Sequence, residues 1–329
     1  MIHHTLKATC ETVHYGGFSS QIPPALTVCS GDRITVETFS GLPVYQQAPA
    51  EFLPPAFLEI CQNLPPDRRV SSGPHLLTGP IYVEEASPGE VLEVRLEEVW
   101  PLLPMGFTLS RPRAGALPSL LTDQALQFIP IDLTKGRIEF PAGSGIQLPL
   151  QPFFGILGVA TAEPSRHSVP PGDYGGNLDN RLLQPPCRLF LPIFLPGALF
   201  SIGDGHGLQG DGEVCLTALE TSMAGTIQLW RRPDLSHLPL PLAETTDAWI
   251  TMGFAETLDA AFEVALTRML TLLEQQLGLS NEDAYMLCSL GVHFHITQAV
   301  NIPQKGVHGI LPKAILPRPI DLSSHRALT

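Results

Sequence analysis

The chain has 329 residues, 44% of them hydrophobic, and a formal charge of −13 at neutral pH. That acid excess excludes the basic footprint of a nucleic-acid binder, and the apolar share excludes a disordered chain. Its 29 glycines and 33 prolines exceed the usual share and argue against a helical bundle, because proline cannot donate to a helix or a central β-ladder.

In chain order, the amino terminus MIHHTLKATCETVHYGGF lacks a basic region and an apolar run, so no secretory signal is expected. Residues 1–120 read as strands punctuated by turns. Ile34–Phe39 alternates after the turn Cys29–Arg33, and Ile81–Val83 and Val91–Leu96 flank the turn Ser87-Pro-Gly89. Gln147–Ala162 is apolar and broken by Pro152, Gly155 and Gly158. No apolar run reaches the ~18 residues of a membrane span, and proline interrupts the greasiest one, at 189–200. Val214–Leu219 and Thr226–Trp230 read as paired strands. Apolar residues at Phe262, Ala265, Leu266, Met269, Leu270, Leu273 and Leu277, with Gly278 beyond, predict a helix over 258–277 whose apolar stripe belongs to the core, or failing that to an interface. Ser280 with Asp283 resembles a capping box opening a second helix through Leu287 or Cys288. His293–Val300 follows as a strand, and residues from Pro317 read as a tail.

The expected fold is mainly β with α, a multi-sheet sandwich or barrel-like body with a helical hairpin at about 258–290. It forms one unit that divides into a β part over 1–160 and a second part over 161–316, with 317–329 as the tail. Cys10, Cys29, Cys61, Cys187, Cys215 and Cys288 are scattered without a CxxC pair, which predicts buried thiols, neither a disulfide framework nor a zinc cage, and a cytoplasmic protein.

Three polar clusters interrupt this greasy chain. In Ser201–Glu213, Asp204, His206, Asp211 and Glu213 alternate with glycines that let a ligand approach the backbone. An imidazole among carboxylates suits zinc, manganese or iron, although such a loop also occurs as a solvated hairpin. In Gly175-Gly-Asn-Leu-Asp179, Asn177 and Asp179 share a face if the chain is extended; alone, the segment would read as a turn. His75 lies between two Gly-Pro breaks before a strand carrying Tyr82 and Glu84. His293 and His295 alternate on one strand, either toward the same site or as a solvated face.

These clusters carry a resemblance. His75-Leu-Leu-Thr-Gly-Pro-Ile-Tyr-Val-Glu with Ala86-Ser-Pro-Gly-Glu-Val is similar to the HxxTGPIYVEGAxPGD segment of the acetamidase/formamidase family. Gly175-Gly-Asn-Leu-Asp179 is similar to its GGNxD, and Asp204–Glu213 to its GDxHxxQGDGE. The order matches, as do GDRITVET, PFFGILGVA, LPIFLPGALFSIGD and a TQAVN segment. Glu85 stands where the family usually has glycine, and Val-His-Phe-His stands where it has an acid near His293.

The resemblance implies hydrolysis of a small linear carboxamide, of formamide or acetamide type, to carboxylate and ammonia by a homodimer or higher homo-oligomer without nucleic-acid or membrane partners. A planar amide is a poor electrophile and needs a strong nucleophile, oxyanion stabilisation and a proton for the leaving amine. A divalent ion, zinc first, supplies the first two. The expected ligands are Asp204 and His206 with Asp179 and His75 or Glu213. Glu84 or Glu213 is the general base, and Asn177 and Gln209 hydrogen-bond the amide. A cysteine nucleophile is disfavoured, since Cys10 has Lys7 and Glu11 near it only in sequence. Ser71-Ser72-Gly73 is too short for a serine-amidase signature, and no GxSxG elbow occurs. The alternatives are a non-catalytic relative binding a small ligand, or an amidase for a different amide.

Overall fold

The computed structural model describes residues 1–322. Strands make up 39% of the chain. The described residues hold three α-helices, α1 (Pro55–Asn63), α2 (Leu258–Leu277) and α3 (Asn281–Gly291). The expectation of a β-rich, multi-sheet body with a helical hairpin near its C-terminal end is borne out.

The larger sheet has nine strands, in the order His3–Leu6, Arg33–Thr38, Met223–Arg232, Val91–Pro101, Cys187–Pro192, Leu242–Thr245, Ala248–Ala255, Lys305–Pro312 and His293–Gln298. The first pair is parallel and the others are antiparallel. A second sheet runs from Gly175–Asn177 through Phe153–Val159, Phe200–His206 and Leu76–Val83 to Val13–Tyr15, with Leu26–Val28 parallel to Leu76–Val83. Both sheets draw strands from either side of residue 160. Ile34, Val36, Val94 and Ile227 of the first sheet share one buried cluster with Leu77, Phe154, Ile156 and Ile202 of the second. Alternation along each strand supplies these inward faces, and each fully buried side chain contributes about 1.5–3 kcal/mol. A four-stranded antiparallel sheet, Gln147–Pro149, Arg137–Glu139, Ala125–Asp132 and Met105–Ser110, flanks the sandwich.

Helix α2 spans the predicted range. Thr257 caps it by accepting from the Ala260 amide, and Gly278 closes it with φ 70°. Its Ala261, Ala265, Met269 and Leu273 are buried against the strands Ala248–Ala255 and Lys305–Pro312, so its apolar stripe is core. Ser280 caps α3, accepting from Asp283 N at 3.1 Å, and the helix continues past the expected Cys288 to Gly291.

Five expectations need correction. Of the six cysteines only Cys61, Cys187 and Cys288 are buried; Cys10 and Cys215 are half-buried and Cys29 is exposed, beside Glu84. Val214–Leu219 is an irregular loop; left-handed backbone at Glu213 and Leu216 prevents extension, and Met223–Arg232 stands without it. The segments around Ser87–Gly89 are strands of different sheets, so that turn carries the chain across the sandwich. Helix α1 occupies a region read as strands only, and it begins at a proline, which the first helical turn tolerates. Leu322 is 5% exposed and packs with the α2–α3 core, so the expected tail is docked at least that far; 323–329 lie outside the described residues. No described helix is long and apolar enough to cross a membrane.

Candidate active site

The clusters converge at one end of the second sheet. Asp204 and His206 sit two residues apart near the end of the strand Phe200–His206, hence on one face. The register pairs Phe153 with His206 and Ile156 with both Gly203 and Asn177, which places Gly155 beneath them. A Cβ at Gly155 would lie 2.6 Å from Asp179 Oδ1, 2.7 Å from Asp204 Oδ2 and 2.9 Å from His206 Cε1. Only a glycine leaves room for the acids to meet. Asp179, Asp204 and Glu213 all adopt left-handed backbone, with φ of 45°, 57° and 47°. For residues other than glycine this costs of order 1–3 kcal/mol each, a strain that clusters at functional sites.

The loop after His206 brings two more carboxylates. Glu220 exchanges backbone hydrogen bonds of 2.8 Å with Phe107 in both directions, which aims its side chain at His206. His206 Nε2 lies 3.2 Å from Asp204 Oδ2, 3.2 Å from Glu220 Oε1 and 3.9 Å from Asp179 Oδ1. His75 Nε2 is 3.9 Å from Asp204 Oδ1, and its Nδ1 is held 2.9 Å from Ser168 Oγ. Asn301 Nδ2 donates to Asp179 Oδ2. His75, Asn177, Asp179, Asp204, Glu213, Glu220 and Asn301 all line one cavity of about 320 Å³.

Four carboxylates are thus buried together. Burial pushes the Asp179 carboxyl up to about 7, and Asp204 adds to the rise. Burial likewise pushes Glu220 up to about 7, again with Asp204 contributing. Glu213 is raised well above the usual range by burial and by Asp179. Burial also opposes ionisation of Asp204, but His75 and His206 outweigh it and hold that carboxyl well below the usual range. Burial disfavours a charged His206; Glu220 and Asp204 nevertheless raise it well above its ordinary value. His75 is lowered, chiefly by burial.

Of the predicted site residues, His75, Asn177, Asp179, Asp204, His206 and Glu213 are brought together. Glu84 is not: it follows the far end of the strand Leu76–Val83, exposed, 3.1 Å from Cys29 Sγ. The strand's own length separates it from His75. Gln209 lies behind the cavity. Its Nε2 donates to the Asp179 carbonyl at 2.7 Å and its Oε1 faces His206 Nδ1 at 2.9 Å, so its amide is engaged in support and not in substrate binding. His293 is exposed, and His295 pairs with Asp211 at 3.0 Å. Sequence reasoning missed Glu220, Asn301 and Ser168. Asn301 ends the TQAVN segment and was within reach of it; Glu220 had no such signal.

A divalent ion fits this donor set. Gln209 Oε1 is an acceptor, so His206 Nδ1 carries the proton and Nε2 presents its lone pair to carboxylates unless it is protonated too. His206 Nε2, Asp179 Oδ1 and Glu213 Oε2 are buried and face one another's side chains with no well-aligned hydrogen bond to the rest of the protein. Ligand atoms of Asp179, Asp204 and His206 lie within 4.8 Å of one another, as do those of His206, Glu213 and Glu220. One nitrogen with hard oxygens suits zinc, manganese or iron.

The sheet sandwich thus carries a buried acid–histidine cluster at its end, opening onto one cavity. The profile of the Acetamidase/Formamidase family matches residues 159–232, bearing out the resemblance carried by the motifs. The fold resembles a recombinant predicted acetamidase/formamidase from Thermoanaerobacter tengcongensis, with TM-score 0.81 and 29% identity over 95% of this chain and 97% of that one. It also resembles an acetamidase from Bacillus halodurans, with TM-score 0.80 and 28% identity over 94% and 97%. A putative formamidase of Schizosaccharomyces pombe is 29% identical over 47% of this chain and 50% of its own length. A formamidase of Methylophilus methylotrophus is 41% identical over 21% and 17%. The matches span half or less of these curated relatives.

Proposed function

We propose that this protein hydrolyses a linear carboxamide to a carboxylate and ammonia, using a divalent ion, zinc first, held by Asp179, Asp204 and His206. Glu220 and His75 stand ready to complete the set. The observation that carries this reading is the convergence of four buried carboxylates around His206, whose Nε2 lies 3.2 Å from both Asp204 and Glu220. When bound, the ion supplies Lewis acidity, which sharpens water and polarises the amide carbonyl.

The chain's own groups do the rest. Glu213, whose Oε2 is free and whose carboxyl is held high by burial, takes the proton of the attacking water and returns it to the leaving nitrogen. Asn177 Oδ1, buried and unpartnered, accepts from the substrate N–H. Asn301 and Gln209 hold Asp179 and His206 in place. The six thiols, none disulfide-bonded, fit a reducing cytoplasm, and the resemblance adds homo-oligomerisation.

Ammonia release from formamide and acetamide, with metal analysis of wild type and His206→Ala, tests the scheme. The variant should lose both turnover and bound metal. Unchanged turnover with unchanged metal content would refute it.

A further inference from the structure

Acetamide carries a single methyl beyond its amide, yet the cavity holds about 320 Å³, within the range of about 300–1,000 Å³ that takes ligands of many atoms. The acids and His75 share it with apolar side chains. Val44, Leu76, Phe107, Leu109 and Val169 form an apolar wall, and the first three of these are at most 5% exposed. Such a wall rewards burial of apolar surface and gives a water-filled small amide nothing to hold.

Arg111 and Arg113 also line the cavity, from a turn closed by Ala114 N donating to Arg111 O at 3.2 Å and Arg113 N donating to Pro118 O at 3.0 Å. Neither side chain has an ion-pair or hydrogen-bond partner among the described residues. Other arginines of this chain, with its 32 acids against 19 bases, are neutralised within the fold; Arg137 and Arg318, for example, also lack an ion pair among the described residues, but only Arg111 and Arg113 of the four line the cavity. Arg33, Arg95, Arg181, Arg188, Arg231 and Arg232 all hold carboxylates. Two unpaired guanidinium groups, both exposed, stand on the opposite polarity to the acidic floor. Guanidinium is the planar, permanently charged fork that recognises carboxylate and phosphate.

We infer that the substrate is an amide with an extended apolar acyl arm ending in an anionic group: the amide goes to the His206 end, the arm along the Phe107–Leu109 wall and the anion to Arg111 and Arg113. This rests on the amide-hydrolase reading above. The reaction consumes water, breaks the C–N bond and releases ammonia, so the half-amide of a dicarboxylic acid would leave as a dicarboxylate. A reaction that makes ω-carboxy amides would supply it.

The experiment compares kcat/KM of the metal-loaded enzyme for acetamide, hexanamide and adipamic acid, the half-amide of adipic acid. Hexanamide should exceed acetamide at least tenfold, and adipamic acid should exceed hexanamide at least fivefold at low salt. The second ratio should fall to about one in Arg111→Ala/Arg113→Ala and shrink with rising salt. Acetamide turned over as well as hexanamide overturns the inference and leaves the amidase reading standing. An adipamic acid advantage that is absent, or that survives the double variant, overturns the anion site. Ammonia from none of the three overturns the amidase reading, and the inference with it.

Discussion

Gly155 lies so close under Asp204 that a single methyl on its Cα would sit 2.7 Å from the carboxylate oxygen Oδ2. Its backbone φ is not left-handed, so alanine fits the local conformation and collides only with the site. Gly155→Ala should therefore keep the fold, with a loss of about 1–3 kcal/mol from overpacking. It should lower amide turnover by roughly a hundredfold, since small displacements of a reacting constellation are that damaging. Urea denaturation alongside an ammonia assay separates the two effects.

Glu220 and Glu84 make a second comparison. Glu220 is 6% exposed and touches His206, whereas Glu84 sits on the surface beside Cys29. Glu220→Gln should reduce turnover on the order of 10²–10⁴-fold, the range typical of losing a positioned carboxyl. Glu84→Gln should stay within twofold. Steady-state kinetics on both variants checks the contrast.

That contrast also shows how far the sequence could be read. His75, Asp179, Asp204, His206 and Glu213 announced themselves because acids and imidazoles stood among glycines, and glycine-rich spacing is a local property. Glu220 stands in Leu219-Glu-Thr-Ser222, which reads like any polar strand end; its role comes from pairing with Phe107, a neighbour only in the folded chain. Gln209 was assigned to the substrate because its motif was visible while its two hydrogen bonds to the back of the site were not. Helix α2 was legible to its ends because its period and both caps are encoded within it. The loop 214–219 was misread because its strand-like composition conceals left-handed backbone at Glu213 and Leu216.

His14 gives the protein an acid-sensitive core. Fully buried beside Ser201 Oγ at 2.9 Å, it is lowered by burial from 6.5 to about 4. The unfolded chain takes up this proton first, so the contribution is complete above about pH 6.5 and is lost as pH falls toward 4. The loss amounts to about 3 kcal/mol at most. Urea midpoints measured between pH 7 and 5 should decline, with a shallower decline in His14→Gln. Equal slopes would show that His14 does not carry the effect.

On the larger sheet, Glu93 is fully buried and faces Arg95 Nε at 2.7 Å, Arg188 Nη1 at 3.4 Å and Arg232 Nη1. Burial opposes its ionisation, but the arginines outweigh it and hold the carboxyl below the usual range. Its stabilising contribution is thus present above the ordinary glutamate value and disappears as pH drops through the folded one. Glu93→Gln leaves Arg95 without its carboxylate, while Arg188 keeps Glu244 and Arg232 keeps Asp234; it should destabilise by about 1–3 kcal/mol, read as a lower Tm at neutral pH.

The late strands fasten the cavity from behind. Gly212 N donates to Thr297 O at 3.1 Å, Ala299 N donates to Gly212 O at 3.0 Å, and Asn301 reaches Asp179. Asp179 thus takes a neighbour from 122 residues further along the chain, so the acids that have all appeared by residue 220 reach their final surroundings only once the segment 297–301 has docked against them.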